Sequence, residues 1–175
     1  GQTLFMATID AKLVALDAIT GQPLWQKSVA DPAAGYAMTL APLVVKDKVI
    51  VGVGGGEYGI RGYVAAYDAK TGKEVWKLAI GMPVCSFPTI VDGRVFVGGD
   101  FTTINGITRN RFARLETNGT LDPVFDPGRG ANGTVYSAAV QPDGKIVIGG
   151  DFTVVNGFIR RGVARLNGDD FGPVL

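Results

Sequence analysis

Apolar residues along this chain come in short β-branched and aromatic runs, broken every few positions by glycine, proline, asparagine or aspartate. Val49–Val53, Tyr63–Tyr67, Val95–Gly99 and Ile146–Gly150 are typical runs. No window repeats its apolar positions at the helical period, so the pattern predicts strands throughout. The breaks carry hairpin chemistry: Asp-Gly at 92–93 and 143–144, Asn-Gly at 105–106 and 156–157, Thr-Gly at 20–21 and 71–72.

The strands recur as a repeat. Lys12-Leu-Val-Ala-Leu-Asp-Ala-Ile-Thr-Gly21, Gly62-Tyr-Val-Ala-Ala-Tyr-Asp-Ala-Lys-Thr-Gly72, Asn110-Arg-Phe-Ala-Arg-Leu-Glu-Thr-Asn-Gly119 and Arg161-Gly-Val-Ala-Arg-Leu-Asn-Gly-Asp-Asp170 align. Asp17, Asp68, Glu116 and Asn167 mark one position, at spacings of 51, 48 and 51. The second unit predicts strands Met38–Val45, Val49–Val53, Tyr63–Tyr67 and Glu74–Leu78. The first unit enters at its second strand, and Phe171–Leu175 matches Leu121–Phe125 as a closing strand. Such units bury their faces only against their neighbours, as β-propeller blades do. A β-solenoid is the competitor, but its repeats are shorter. The expected fold is all-β: four four-stranded antiparallel blades, the first incomplete, forming half of an eight-bladed ring.

Composition narrows the chemistry. The 175 residues include 26 glycines, no histidine and one cysteine, with a net charge of +1. Without histidine there is no Ser-His-Asp or Cys-His mechanism and no His-bearing zinc site. Cys85 has no partner for an internal disulfide and reads as a small apolar residue. A balanced charge with no basic stripe argues against a nucleic-acid partner, and no run of about 18 apolar residues spans a membrane. The chain shows no cationic leader and no initiating Met.

The amino-acid vocabulary also changes partway. Up to Cys85 the chain uses seven lysines and one arginine; beyond it, one lysine and eight arginines. All six asparagines lie in the second part and both tryptophans in the first. Drift within one array or a join near residues 80–88 accounts for this, and the join is preferred. The expected organisation is residues 1–80 as blades one and two and 81–175 as blades three and four, with an extended crossover over 81–88.

Residues 2–79 resemble the pyrroloquinoline quinone (PQQ) alcohol and methanol dehydrogenases. The likeness rests on Ala11-Lys-Leu-Val-Ala-Leu-Asp-Ala-Ile-Thr-Gly-Gln-Pro-Leu-Trp25, Gly54-Gly-Gly-Glu-Tyr-Gly-Ile-Arg-Gly-Tyr63 and Ala66-Tyr-Asp-Ala-Lys-Thr-Gly-Lys-Glu-Val-Trp76. The last resembles the motif that docks adjacent blades in that family. Residues 87–170 resemble the delta-60 repeats of bacterial secreted and surface proteins, through Gly98-Gly-Asp-Phe-Thr-Thr-Ile-Asn-Gly106 and Gly149-Gly-Asp-Phe-Thr-Val-Val-Asn-Gly157. Together the two imply a chimera of parent families that are periplasmic or secreted. The quinoprotein resemblance implies cofactor contacts at Thr39, Gly54, Gly55 and Gly56 and a calcium ligand at Glu57. Glycines let a backbone approach a flat ring, and a carboxylate suits a hard cation. The family's cysteine pair and its later-blade aspartate, asparagine, tryptophan and arginine have no match here, and calcium takes roughly six to eight oxygens.

The remaining candidates read as structure. Asp100 and Asp151 recur in Gly-Gly-Asp-Phe and are expected to cap turns by accepting backbone N–H bonds. Asn167-Gly-Asp-Asp170 is a turn, and Asn118-Gly-Thr and Asn132-Gly-Thr match glycosylation sequons in turn sequence. Arg109, Arg111, Arg114 and Arg160, Arg161, Arg165 recur in register as blade-edge residues. The leading expectation is a non-catalytic chimeric scaffold with no cofactor, whose partner is itself, as a homodimer completing an eight-bladed ring. A dehydrogenase fragment keeping part of a PQQ and calcium site is the alternative, and a secreted interaction module is a third.

Overall fold

A computed structural model describes residues 2–54, 62–80 and 88–168 and shows an all-β chain of consecutive antiparallel sheets. The first unit is a three-stranded sheet of β1 (Thr3–Ala7), β2 (Lys12–Asp17) and β3 (Pro23–Ser28). The second has four strands, β4 (Leu43–Val45), β5 (Lys48–Val53), β6 (Tyr63–Asp68) and β7 (Glu74–Ala79). In the third unit β8 (Thr89–Val91) and β9 (Arg94–Gly98) come first. The hairpin of β10 (Thr103–Ile104) and β11 (Ile107–Thr108) then precedes β12 (Phe112–Leu115). The fourth repeats this plan with β13 (Val135–Val140), β14 (Ile146–Gly150), the hairpin of β15 (Val154–Val155) and β16 (Phe158–Ile159), and β17 (Val163–Leu166). No helix among the described residues is long and apolar enough to cross a membrane.

Period-two alternation decides which neighbour each strand side chain meets. Val49, Val51 and Val53 of β5, with Tyr63, Ala65 and Tyr67 of β6, face blade one and bury with Leu13, Phe5 and Trp25. Their in-between neighbours Ile50, Val64 and Ala66 face blade three and bury with Val95, Val97, Ala113 and Leu115. Phe96 and Phe112 point the other way, to Ile146, Ile148, Ala164 and Leu166 of blade four. Each interior blade therefore has two apolar faces, and each core belongs to a junction between blades.

The turn chemistry is largely as expected. Asp92-Gly93, Asn105-Gly106 and Asn156-Gly157 all place both central residues at positive φ, the geometry of a tight two-residue hairpin turn. Asp143-Gly144 differs: it lies in a longer connection closed by the Gln141 N–H to the Lys145 carbonyl at 2.7 Å. Asp17 and Asp68 cap the turns after β2 and β6. Asp17 accepts from the Ile19 and Thr20 N–H groups and Asp68 from those of Lys70 and Thr71.

Several expected boundaries move. Met38–Val45 is not one strand: Ala37 makes an isolated bridge to Gly54, and β4 begins only at Leu43. Pro42 stands between them and has no N–H to give a ladder. Leu121–Phe125 is reduced to the Leu115–Leu121 bridge, because Pro123 interrupts it in the same way. The delta-60-like units carry a three-stranded sheet plus a hairpin where a plain four-stranded blade was expected. The 81–87 part of the crossover, Cys85 and the Phe171–Leu175 strand lie outside the described residues.

Candidate functional site

The strongest recurring geometry is the contact that locks one blade to the next. Trp25 on β3 donates its indole N–H to the Ala69 carbonyl of blade two at 3.1 Å. Trp76 on β7 donates to the Thr117 carbonyl of blade three at 2.8 Å. Each indole lies on a glycine of the receiving turn. A Cβ on Gly72 would stand 2.7 Å from Trp25 Cε3, and one on Gly119 would stand 2.5 Å from Trp76 Cδ2. Both glycines hold positive φ, +69° and +84°, so the position needs glycine for its backbone as well as for the seat.

The third junction uses a different donor on the same acceptor position. Arg114 on β12 donates through Nη1 to the Gly168 carbonyl of blade four at 3.0 Å. Ala69, Thr117 and Gly168 each directly follow the register markers Asp68, Glu116 and Asn167. The Arg114 side chain is only 3% exposed; its Nε donates to Asp122 Oδ2 at 2.7 Å, and its guanidinium lies 4.7 Å from the Phe125 ring centroid. Burial pushes the Asp122 carboxyl up, but the Val124 N–H and Arg114 outweigh it and hold the group below its ordinary 3.8. A buried ion pair of this kind depends on such hydrogen bonds, here from Nε to Asp122 and from Nη1 to the Gly168 carbonyl.

Reading Arg114 as a blade-edge residue is thereby corrected: its strand alternation sets it beside Phe112 on the face toward blade four. Arg109 is also buried, at 8% exposure. An arginine inside the otherwise apolar Phe-Ala-Arg-Leu strand, with an aspartate eight residues on, was the signal that reveals the pair. Asp100 is corrected too. Its carboxylate pairs with Arg111 Nε at 2.8 Å, and among the described residues no backbone N–H reaches the side chain of Asp100 or Asp151. The tight Asn-Gly turns and backbone bonds such as Asp151 N–H to the Thr134 carbonyl already close those loops.

Of the residues implied as cofactor contacts, Thr39 is exposed, beside the Ala37–Gly54 bridge. Gly54 has no atom within 4 Å of where a Cβ would stand. The bridge brings the two onto one edge of blade two. Gly55, Gly56 and Glu57 lie outside the described residues. Nearby, a cleft of about 340 Å³ is lined by Asp31, Tyr36, Gly62, Tyr63 and Lys77. Lys77 Nζ sits 3.7 Å over the Tyr63 ring, and Tyr63 donates its hydroxyl to the Val29 carbonyl at 2.8 Å. Burial, with Tyr36 and Glu74 nearby, pushes the Tyr63 phenol up to about 12. Among the described residues no three acidic, Cys or His side chains group as a metal site. Gly54, open on its outer side, and the exposed Thr39 leave room for one face of a flat ring.

Comparison with known proteins divides the chain as its vocabulary does. Residues 1–94 match the family model of the glucose/ethanol/alcohol dehydrogenase β-propeller domain. Residues 92–125 and 141–170 match a β-propeller domain of unknown function, DUF5122. The quinohemoprotein alcohol dehydrogenase ADH IIB of Pseudomonas putida is 53% identical over 77 residues, 44% of this chain and 11% of that protein. A lanthanide-dependent methanol dehydrogenase of Methylacidiphilum fumariolicum is 58% identical over 73 residues, 42% of this chain and 12% of that protein. The matched stretches are thus a small part of these relatives' length. In fold, the whole chain aligns with 46% of the computationally designed Ika8 protein, at a TM-score of 0.68 and 14% identity.

Proposed function

The chain belongs to the glucose/ethanol/alcohol dehydrogenase β-propeller domain family, and we propose that its own role is a propeller wall: a non-catalytic scaffold that stacks blades of two kinds. One observation carries this reading. Trp76, from the quinoprotein-like part, docks on the Thr117–Gly119 turn of the delta-60-like part just as Trp25 docks on blade two within the first part. A join between two blade families thus keeps one junction geometry, and we place it at the composition change, with residues 1–80 on one side and 81–175 on the other. By the habit of the parent families the scaffold works in a periplasmic or secreted setting.

Thermal unfolding followed by far-UV circular dichroism tests the reading. The chain is expected to unfold in one transition, and Trp76→Ala is expected to lower the midpoint of that single transition. Two independent transitions in the unaltered chain would overturn the proposal.

A second reading has its own support: the matched residues 1–94 contain Thr39, Gly54–Gly56 and Glu57, in a family named for its quinone. In this reading the glycine edge and Thr39 hold one face of PQQ, and Glu57 contributes one oxygen to calcium or a lanthanide. The absorbance of added PQQ with either metal separates the two. A spectral shift abolished by Glu57→Ala supports the second reading; an unshifted spectrum at high micromolar cofactor removes it.

A further inference from the structure

Among the described residues, the three junctions leave one face of the first blade and one of the last without a neighbouring blade. On the first blade, Leu4 and Met6 of β1 point away from blade two and are 56% and 43% exposed. Its turn after Asp17 presents the Ala18 carbonyl at the position that accepts the docking bond in the three later blades. Among the described residues nothing donates to that carbonyl, and the space over Gly21 is open. On the last blade, β17 repeats the docking strand of blade three position for position. Val163 stands where Phe112 stands, and Arg165 where Arg114 stands, because Val147–Arg165 is the ladder pair that Phe96–Arg114 is in blade three. Phe112 is 1% exposed and Val163 is 62% exposed; the Arg165 side chain is 41% exposed and, among the described residues, pairs with Asp143 of its own blade at 2.7 Å.

We propose that the last blade of one copy docks on the first blade of a second copy of this chain, with Arg165 donating to the Ala18 carbonyl of that second copy. The proposal rests on the scaffold reading and extends its blade-stacking rule across two chains. Donor and acceptor sit in the same order as at every internal junction, each blade giving to the next. A two-fold rotation makes the contact twice and closes a ring of eight blades, the commonest oligomer symmetry. It covers the apolar strips of Leu4, Met6 and Val163, which a lone chain leaves in water.

Light scattering after size exclusion, with far-UV circular dichroism on the same samples, tests it. The chain is expected at twice its 18.3 kDa mass. Arg165→Ala, Val163→Asp and Leu4→Asp are each expected to halve that mass and leave the dichroism unchanged, since all three side chains are already exposed in the single chain. A folded chain that stays at single mass at tens of micromolar overturns the inference and leaves the scaffold reading standing. A doubled mass that persists in all three variants overturns it as well, by placing the contact elsewhere. A chain with no cooperative β unfolding overturns the scaffold reading itself.

Discussion

Replacing Gly119 with alanine tests whether the indole seat or the turn conformation makes that glycine necessary. Gly119 holds φ +84°, and a Cβ there would press on Trp76. The left-handed conformation alone costs an alanine about 1 kcal/mol. Pushing the indole away forfeits its hydrogen bond to Thr117, about 1 kcal/mol. It also forfeits the buried part of a large aromatic. An aromatic side chain buries ~150–250 Å², and Trp76 is half-buried; at ~25 cal/mol per Å² this is about 2 kcal/mol. Gly119→Ala should therefore cost about 4 kcal/mol, and Trp76→Ala about 3 kcal/mol. In the Trp76→Ala background only the conformational part remains, so Gly119→Ala should then cost about 1 kcal/mol, a coupling of about 3 kcal/mol. Gly21 is the internal control: its φ is +71° and nothing stands within 4 Å, so Gly21→Ala should cost about 1 kcal/mol in either background. Urea unfolding of the four chains of the cycle, with Gly21→Ala alongside, gives these values directly. Equal costs at Gly21 and Gly119, or a Gly119→Ala cost indifferent to Trp76, would refute the reasoning.

Three further outcomes follow from the third junction and the cleft. Asp122→Ala leaves Arg114 buried without its carboxylate and should cost about 3–5 kcal/mol in urea unfolding, whereas Arg114→Met with Asp122→Leu should cost much less. Because the Asp122 carboxyl is held below 3.8 in the fold, its contribution is complete above that value and is lost as the pH falls through the folded value. Acid titration should thus lower the melting temperature below about pH 4, and less so in the double variant. Tyr63 runs the opposite way: its pKa is raised from 10.0 to about 12, so stability is complete below pH 10 and declines between 10 and 12. Tyrosinate absorbance should show two late-titrating phenols, Tyr63 and Tyr67, whose burial also pushes it up, and Tyr63→Phe should remove one of them.

The repeat, the strands and the blade fold were legible because period-two alternation and Asn-Gly turns are local signals. The docking role of Trp76 was legible through resemblance alone and that of Trp25 only in the structure, since a half-buried tryptophan within a strand carries no local mark of its acceptor. The Arg114–Asp122 pair was missed for a physical reason. Arginine is usually a surface residue, and its place in the apolar Phe-Ala-Arg-Leu run is a hint of burial that does not name the next blade's carbonyl as its acceptor. The extra hairpins were half legible: Asn105-Gly106 and Asn156-Gly157 announced turns, but two-residue strands are too short to leave a pattern. Thr39 and Gly54 were named from resemblance, and their meeting on one edge comes from the Ala37 bridge.

Every internal junction ends on a main-chain oxygen. A peptide carbonyl is present whatever residue occupies the position, as alanine, threonine and glycine at 69, 117 and 168 demonstrate. The receiving blade need not mutate when its neighbour changes donor from indole to guanidinium. The hydrogen bond between blades is therefore inherited with the backbone, while an indole donor also needs the glycine of the receiving turn, so recombination between distant lineages keeps a tryptophan junction wherever that turn carries glycine.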